Sequence, residues 1–105
     1  MSATVSRQSH PDRFEVTAAD GQVAGFTQFL DRDGRRIFFH TEIGEEFGGQ
    51  GLAGIVVEQG LTATREEGLT IVPVCPYVKK WLTKHPEFDD VTANATPDDL
   101  AAIGA

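Results

Sequence analysis

Three groups of residues in this 105-residue chain have types and spacings that could do chemistry. The first is the run Gly48, Gly49, Gln50, Gly51, Leu52, Ala53, Gly54, in which Gly49 to Gly54 reads G-x-G-x-x-G. Glycines remove the Cβ atoms that would keep an anion from the backbone. A helix start directly after them supplies free N–H groups and the positive end of the helix dipole, so this chemistry is phosphate binding. The second group is Cys75-Pro76-Tyr77. A thiolate gains stability at a helix N-terminus, and a phenol nearby has a proton to give. The third is His40-Thr41-Glu42, an imidazole and a carboxylate at i and i+2 of an alternating segment, able to take a proton directly or through water. Each has a plainer alternative. The loop could be packing glycines, Cys75 a small buried hydrophobe, Tyr77 a half-buried packing residue, and His40 a satisfied structural histidine.

The phosphate ligand is narrowed by what surrounds the loop. A dinucleotide site needs a carboxylate at the end of the next strand, and that strand ends Pro73-Val74-Cys75. A nucleoside-triphosphate loop needs G-K-[ST], which is absent. Lys79, Lys80, Lys84 and His85 lie in a stretch with no carboxylate from Gly68 to Pro86, a local basic segment suited to phosphates. No metal is expected: a His-x-Glu pair lacks a third ligand, and Cys75 is the only cysteine.

The elements that must position these groups follow from period and punctuation. Residues 1–11 are polar and without periodicity, and read as a flexible arm. Strands are expected over residues 12–18, 22–31 and 35–43, joined by tight turns at Asp20-Gly21 and Asp33-Gly34. On the third, alternation puts Phe38, His40 and Glu42 on one face and Ile37, Phe39, Thr41 and Ile43 on the other. The period then becomes helical from Leu52, and Gly68 stands where a helix-ending glycine belongs. Gly60, inside that helix, is either a tolerated cost or a sign of close packing on the sheet. The apolar run over residues 69–75 is a buried strand reached by a crossover, hence parallel to the third. Pro73 within it implies an edge, or a bulge that splays it away. Pro76 opens a helix to about His85. Thr96-Pro97-Asp98-Asp99 starts a short terminal helix within a 92–105 extension. The fold class is α+β: an antiparallel three-strand meander, a β-α-β crossover and a following helix.

Composition agrees with one small folded domain. It is 40% hydrophobic and 24% charged, with a formal net charge of −7 and a pI near 4.7. That acidity argues against a nucleic-acid partner. No apolar stretch approaches the roughly 20 residues of a membrane span. Residues 1–11 lack the apolar core of a signal peptide, so the expected compartment is the reducing cytoplasm.

The segments 39–43 (FHTEI), 49–53 (GQGLA), 71–78 (IVPVCPYV) and 84–88 (KHPEF) together resemble the small single-domain branch of the GNAT acetyltransferase superfamily, over residues 12–91. The resemblance implies acetyl-CoA as cosubstrate and a GNAT-like mixed sheet. It also implies a CoA-binding set of Ile43, Gly48, Gly49, Gln50, Gly51, Leu52, Ala53 and Gly54, with Lys80 and Lys84 near the 3′-phosphate. The family motif usually opens with Gln or Arg where this chain has Gly48. The implied reaction is acetyl transfer to a primary amine, on a peptide, a protein lysine or a small molecule. Cys75 would be nucleophile or pocket residue, Tyr77 an acid for the CoA thiolate, and His40 or Glu42 the base. An acyl-CoA-binding module without turnover is the alternative. The tight Asp20-Gly21 turn leaves no room for helices early in the chain, so the acceptor side is expected to be open.

Overall fold

The computed structural model describes residues 3–104. Strands β1 (Thr4–Gln8), β2 (Arg13–Thr17), β3 (Val23–Arg32), β4 (Arg35–Ile43) and β5 (Thr70–Pro73) form one sheet in that spatial order. Neighbours are antiparallel from β1 to β4, and β5 runs parallel to β4. Helix α1 (Leu52–Glu66) makes the crossover, α2 (Pro76–Thr83) follows β5, and α3 (Pro97–Ala102) comes last. The fold is α+β, with the expected crossover and following helix.

The meander has one strand more than expected. Within the segment read as a flexible arm, Thr4–Gln8 pairs with β2 from Thr4↔Thr17 to Gln8↔Arg13. Met1 and Ser2 lie outside the described residues. An edge strand that turns only Val5 to the core carries no hydrophobic alternation, so the pattern could not announce it. Backbone pairing holds it, with Val5 against the core and Arg7 donating to both oxygens of Glu67 at 3.1 and 3.0 Å. Of the two expected tight turns, only Asp33-Gly34 has positive φ at both positions, 50° and 73°. At Asp20-Gly21 only the glycine does, within a wider loop closed by Ala18 N–H on the Gln22 carbonyl at 2.8 Å.

Helix α1 covers one face of the sheet. Val56, Val57 and Leu61 are fully buried against Phe14, Val16, Phe29 and Phe38. Burying each such side chain contributes roughly 1.5–3 kcal/mol. Gly60 marks the closest approach: a Cβ there would stand 3.0 Å from Phe14 Cδ2, so close packing, not tolerance, explains this glycine.

Two irregularities in β4 set up the site. The first is a parting. The β4–β5 ladder runs only from Arg35↔Thr70 to Phe38↔Pro73. Val74 N–H and Cys75 N–H both donate to the Phe38 carbonyl at 2.9 Å, and beyond that point β4 pairs with β3 alone. Pro73 has no N–H to continue the ladder. The outer side of β5 carries a single bridge, Ile71↔Thr92, so Pro73 sits both at an edge and at a splay.

The second is a bulge. Phe29 faces Phe38 but Gln28 faces His40, so Phe39 is an extra residue and the alternation slips by one. Phe38, Thr41 and Ile43 therefore share the α1 face, and His40 and Glu42 lie on the opposite one. The grouping of Phe38 with His40 and Glu42 is thereby corrected: regular alternation cannot foresee an unpaired residue.

Candidate active site

The glycine loop lies between the far end of β4 and the start of α1. After a 3₁₀ turn over Glu45–Phe47, Gly49 and Gly51 take φ of 83° and 74°, a region that side chains with a Cβ rarely adopt. A Cβ on either would meet nothing within 4 Å, so the loop presents bare backbone to open space. Gly51 is the N-cap of α1 and makes no side-chain cap, which leaves the first-turn N–H groups without a protein acceptor. These groups open onto a cavity of about 250 Å³ lined by Ile43, Phe47, Gly48, Gly49, Gly51, Leu52, Ala53, Gly54 and Tyr77. Of the residues expected around the loop, only Gln50 is outside this lining. Phe47 and Tyr77 are additions that span from the 3₁₀ turn to α2.

The parting supplies a second set of free groups. Gly44 N–H donates to the Ala24 carbonyl at 2.8 Å, which fixes the alternation along β4. Glu42 and His40 aim their backbone groups at β3, as Gly44 does. Those of Thr41 and Ile43 point to the open side where β5 has turned away. Ile43 also lines the loop cavity, so the unpaired edge of β4 runs into the helix N-terminus.

Helix α2 carries the aromatic and cationic wall. Tyr77, Lys80, Trp81 and Lys84 fall on one face at i, i+3, i+4 and i+7, and line a cavity of about 270 Å³ that shares Tyr77 with the first. Trp81 stacks on His85 with ring centroids 3.6 Å apart, which holds the indole upright. Phe47 drew no assignment from the sequence, and Trp81, expected from the helical pattern on the buried side of α2 with Val78 and Leu82, is only partly buried and faces the cavity. An aromatic on an amphipathic helix face reads equally well as core, and only the fold distinguishes the two. Lys79 points elsewhere, to a separate cavity, so the three lysines are not one patch.

Cys75 is the N-cap of α2 and is buried, with its Sγ 3.4 Å from Thr41 Oγ1. Thr41 in turn bonds Thr27 Oγ1 at 2.9 Å. Tyr77, two residues on, is 40% exposed. His40 and Glu42 are exposed and joined by an Nε2–Oε1 contact of 3.1 Å, with the imidazole against Phe26. The bulge puts this pair on the other face of the sheet from Cys75. The structure thus brings together the glycine loop, Ile43 and Tyr77, sets Lys80 and Lys84 beside them, and holds His40 and Glu42 across the sheet. Among the described residues, no three His, Cys, Asp or Glu side chains gather as metal ligands.

The sequence model of the GCN5-related N-acetyl-transferase family matches residues 13–91. The chain belongs to this family. It is thus a GNAT enzyme of the acetyltransferase class, whose family cosubstrate is acetyl-CoA. The solution NMR structure of a GCN5-like protein from Staphylococcus aureus is similar in fold, with a TM-score of 0.66 at 20% identity. The likeness covers 90% of this chain and 91% of that one. No protein of curated function matches the sequence. For a GNAT domain, the loop cavity has the right chemistry for the CoA pyrophosphate: unclaimed N–H groups, a helix dipole and no Cβ in the way. At Gly48, a Cβ would stand 3.3 Å from the Glu45 carbonyl, so the Gln or Arg usual in the family would fit only if the 3₁₀ turn shifted slightly.

Proposed function

We propose that this GNAT domain transfers the acetyl group of acetyl-CoA to a primary amine, with the loop cavity as its CoA site. The supporting observation is that an uncapped helix N-terminus, a bare glycine loop and the unpaired edge of β4 meet at one cavity. In this reading, the first-turn amides of α1 and the loop from Gly48 to Gly54 hold the pyrophosphate, and Lys80 and Lys84 meet the 3′-phosphate. The free backbone groups of Thr41 and Ile43 bind the extended arm and the thioester oxygen, where the developing oxyanion needs donors.

The amine nitrogen attacks the thioester carbon, a C–N bond forms, and the C–S bond breaks with its electron pair on sulfur. The His40–Glu42 pair takes the ammonium proton, directly or through water, from the far face of the sheet. Tyr77 gives its proton to the departing thiolate and regains one from solvent. Cys75, buried against Thr41, shapes the pocket and does not carry the acetyl group.

The test is the melting temperature with and without CoA, beside turnover of acetyl-CoA with a panel of amines. CoA is expected to raise Tm, since a ligand selective for the folded state stabilises it by mass action. Gly51→Val should abolish that shift, both by filling open space and by straining φ at 74°. A folded Gly51→Val protein with undiminished CoA affinity would rule this loop out. Full CoA binding with no amine acetylated would favour the binding module without turnover.

A further inference from the structure

Residues 92–104 lie beyond the family match, yet they are pinned with unusual care. Ala93 N–H donates to the Ile71 carbonyl at 2.9 Å, beside the Ile71↔Thr92 bridge. The Asn94 carbonyl accepts from Arg35 Nη2 at 3.0 Å. Thr96 and Asp99 form a reciprocal capping box at the start of α3. The Asp99 carboxylate, with no exposed surface, is held by Arg35 at 2.7 Å and Arg32 at 2.9 Å. A segment fixed from both flanks is a wall, not a tail. No helix stands between β2 and β3, and the C-terminal segment covers the outer edge of β5.

What it encloses is a cavity of about 490 Å³ lined by Pro73, Val74, Lys79, Asn94, Ala95 and Leu100. This cavity adjoins the parting of β4 and β5, because Val74, whose N–H meets Phe38 there, is part of its wall. Its chemistry is one-sided. Pro73, Val74, Ala95 and Leu100 are apolar, Asn94 offers an amide, and Lys79 is the only charge. Among the described residues no salt bridge uses a lysine, so the Lys79 ammonium is not spent on the protein's own carboxylates.

We infer that this cavity is the acceptor site, and that it selects a small apolar amine carrying a carboxylate, the class of apolar amino acids. The inference rests on the acetyl-transfer reading above. A carboxylate pairs with Lys79, the apolar body packs on Leu100 and Ala95, and the amine is left toward the parting. No carboxylate lines the cavity to receive a second cation, so lysine-rich acceptors are disfavoured. The same ammonium disfavours the protonated form of a nearby amine, which aids attack.

The probes are N-acetyl-L-leucine and its uncharged amide, added to the CoA-saturated protein and followed by backbone NMR shifts. The acid should shift Val74, Asn94, Ala95 and Leu100, and the amide should bind about tenfold more weakly, as the loss of one charge-assisted contact implies. Lys79→Ala should remove that preference and Lys79→Arg should restore it. Lys79 is exposed, so these variants keep the fold. No shift at those four residues, or equal affinity for acid and amide, would overturn the inference. The CoA melting shift reads the donor site separately, so loss of one reading is distinguishable from loss of the other.

Discussion

At the end of the sheet where β3 turns into β4, cations and carboxylates are locked together; at the other end, where β4 leaves β5, the cations stand free. Arg36 is 1% exposed and is gripped by Asp31 at 2.7 Å and Glu67 at 2.9 Å, with its guanidinium 4.5 Å from the Phe29 ring centroid. Burial works against the Arg36 charge, but hydrogen bonds to Asp31 and then Glu67 outweigh it and raise its pKa. Arg7 joins the same carboxylates, and Arg32 and Arg35 close on Asp99. At the other end, Lys79, Lys80 and Lys84 face cavities and make no ion pair among the described residues. The arginine fork suits fixed, bidentate pairing, and the lysine suits a point charge held for an arriving anion. The difference teaches where each end spends its charge: the hairpin end on holding the fold, while the parting end leaves its lysines unpaired beside cavities.

The hardest test of that division is Arg36→Met. It leaves Asp31 and Glu67 facing each other with only Arg7 between them. Removing one partner of a buried ion pair costs about 3–5 kcal/mol. Both carboxylates keep some solvent, so the lower figure is expected, with Tm falling by more than about 10 °C. Affinity for CoA, measured by calorimetry well below that Tm, should be unchanged. A parallel loss of CoA affinity would mean that the two ends are coupled.

The same network gives a pH dependence with a defined sign. Glu67 is held below its ordinary pKa first by its hydrogen bond from Arg36, and Asp99 far below it first by Arg35. Depressed folded-state values mean that the unfolded chain binds more protons in acid. The stabilisation is therefore present above the unfolded carboxylate range, roughly pH 4, and drains away as pH falls through the folded values. Tm should decline from about pH 5 downwards. Asp99→Asn should start from a lower Tm at pH 7 and decline less steeply. A variant with the slope of the parent would show that Asp99 titrates as it does when unfolded.

How legible was this molecule in its sequence? The crossover, the glycine loop and the terminal helix were readable because each has a local chemical cause: a change of period, a glycine where φ must be positive, a Thr-Pro-Asp-Asp cap. Pro73 pointed to the splay because a missing N–H is a fact of covalent structure. Strand β1 was not readable, since Thr4–Gln8 turns only Val5 to the core and is otherwise held by backbone pairing and the Arg7 ion pairs, none of which leaves a periodic pattern. The bulge at Phe39 was not readable either, because the run from Phe38 to Ile43 alternates acceptably in either register. What decides between them is long-range: Phe38 must reach Phe29 while Thr41 reaches Thr27 and Cys75. Lys79 was grouped with Lys80 and Lys84 for a similar reason. Chain proximity put three cations together, and the helix then turned one of them away.

A milder change sharpens the lysine end. Replacing Lys80 and Lys84 together by Gln should weaken CoA severalfold, since exposed charge contacts contribute about 0.2–1 kcal/mol each. Dephospho-CoA should lose less, because the 3′-phosphate is what these lysines meet in the proposed site. The contrast should shrink at high salt. Equal losses for the two ligands would reassign the lysines to the pyrophosphate, or to neither.

The smallest effect is expected at Cys75, the residue that looks most like a nucleophile. It has the position of one, at the N-cap of α2 beside the unpaired edge of β4. Its burial argues the other way. An acyl carrier must meet donor and acceptor in turn, and this Sγ is packed among core side chains with Thr41 Oγ1 as its polar neighbour. Passing the acetyl group from one thiol to another also gains almost no free energy, so a second thioester helps only if the amine cannot reach the first. The parting of the strands leaves that route open. Cys75→Ser keeps a group that can bond Thr41, and acetylation should fall by less than about tenfold, far short of the loss when a true nucleophile is removed. Cys75→Ala should behave similarly, at some cost in Tm. Intact mass spectrometry after mixing with acetyl-CoA decides the matter. An acetyl adduct on Cys75 that forms and is discharged by amine at the rate of turnover would make it the nucleophile, and the parting would then serve the thiol rather than the amine.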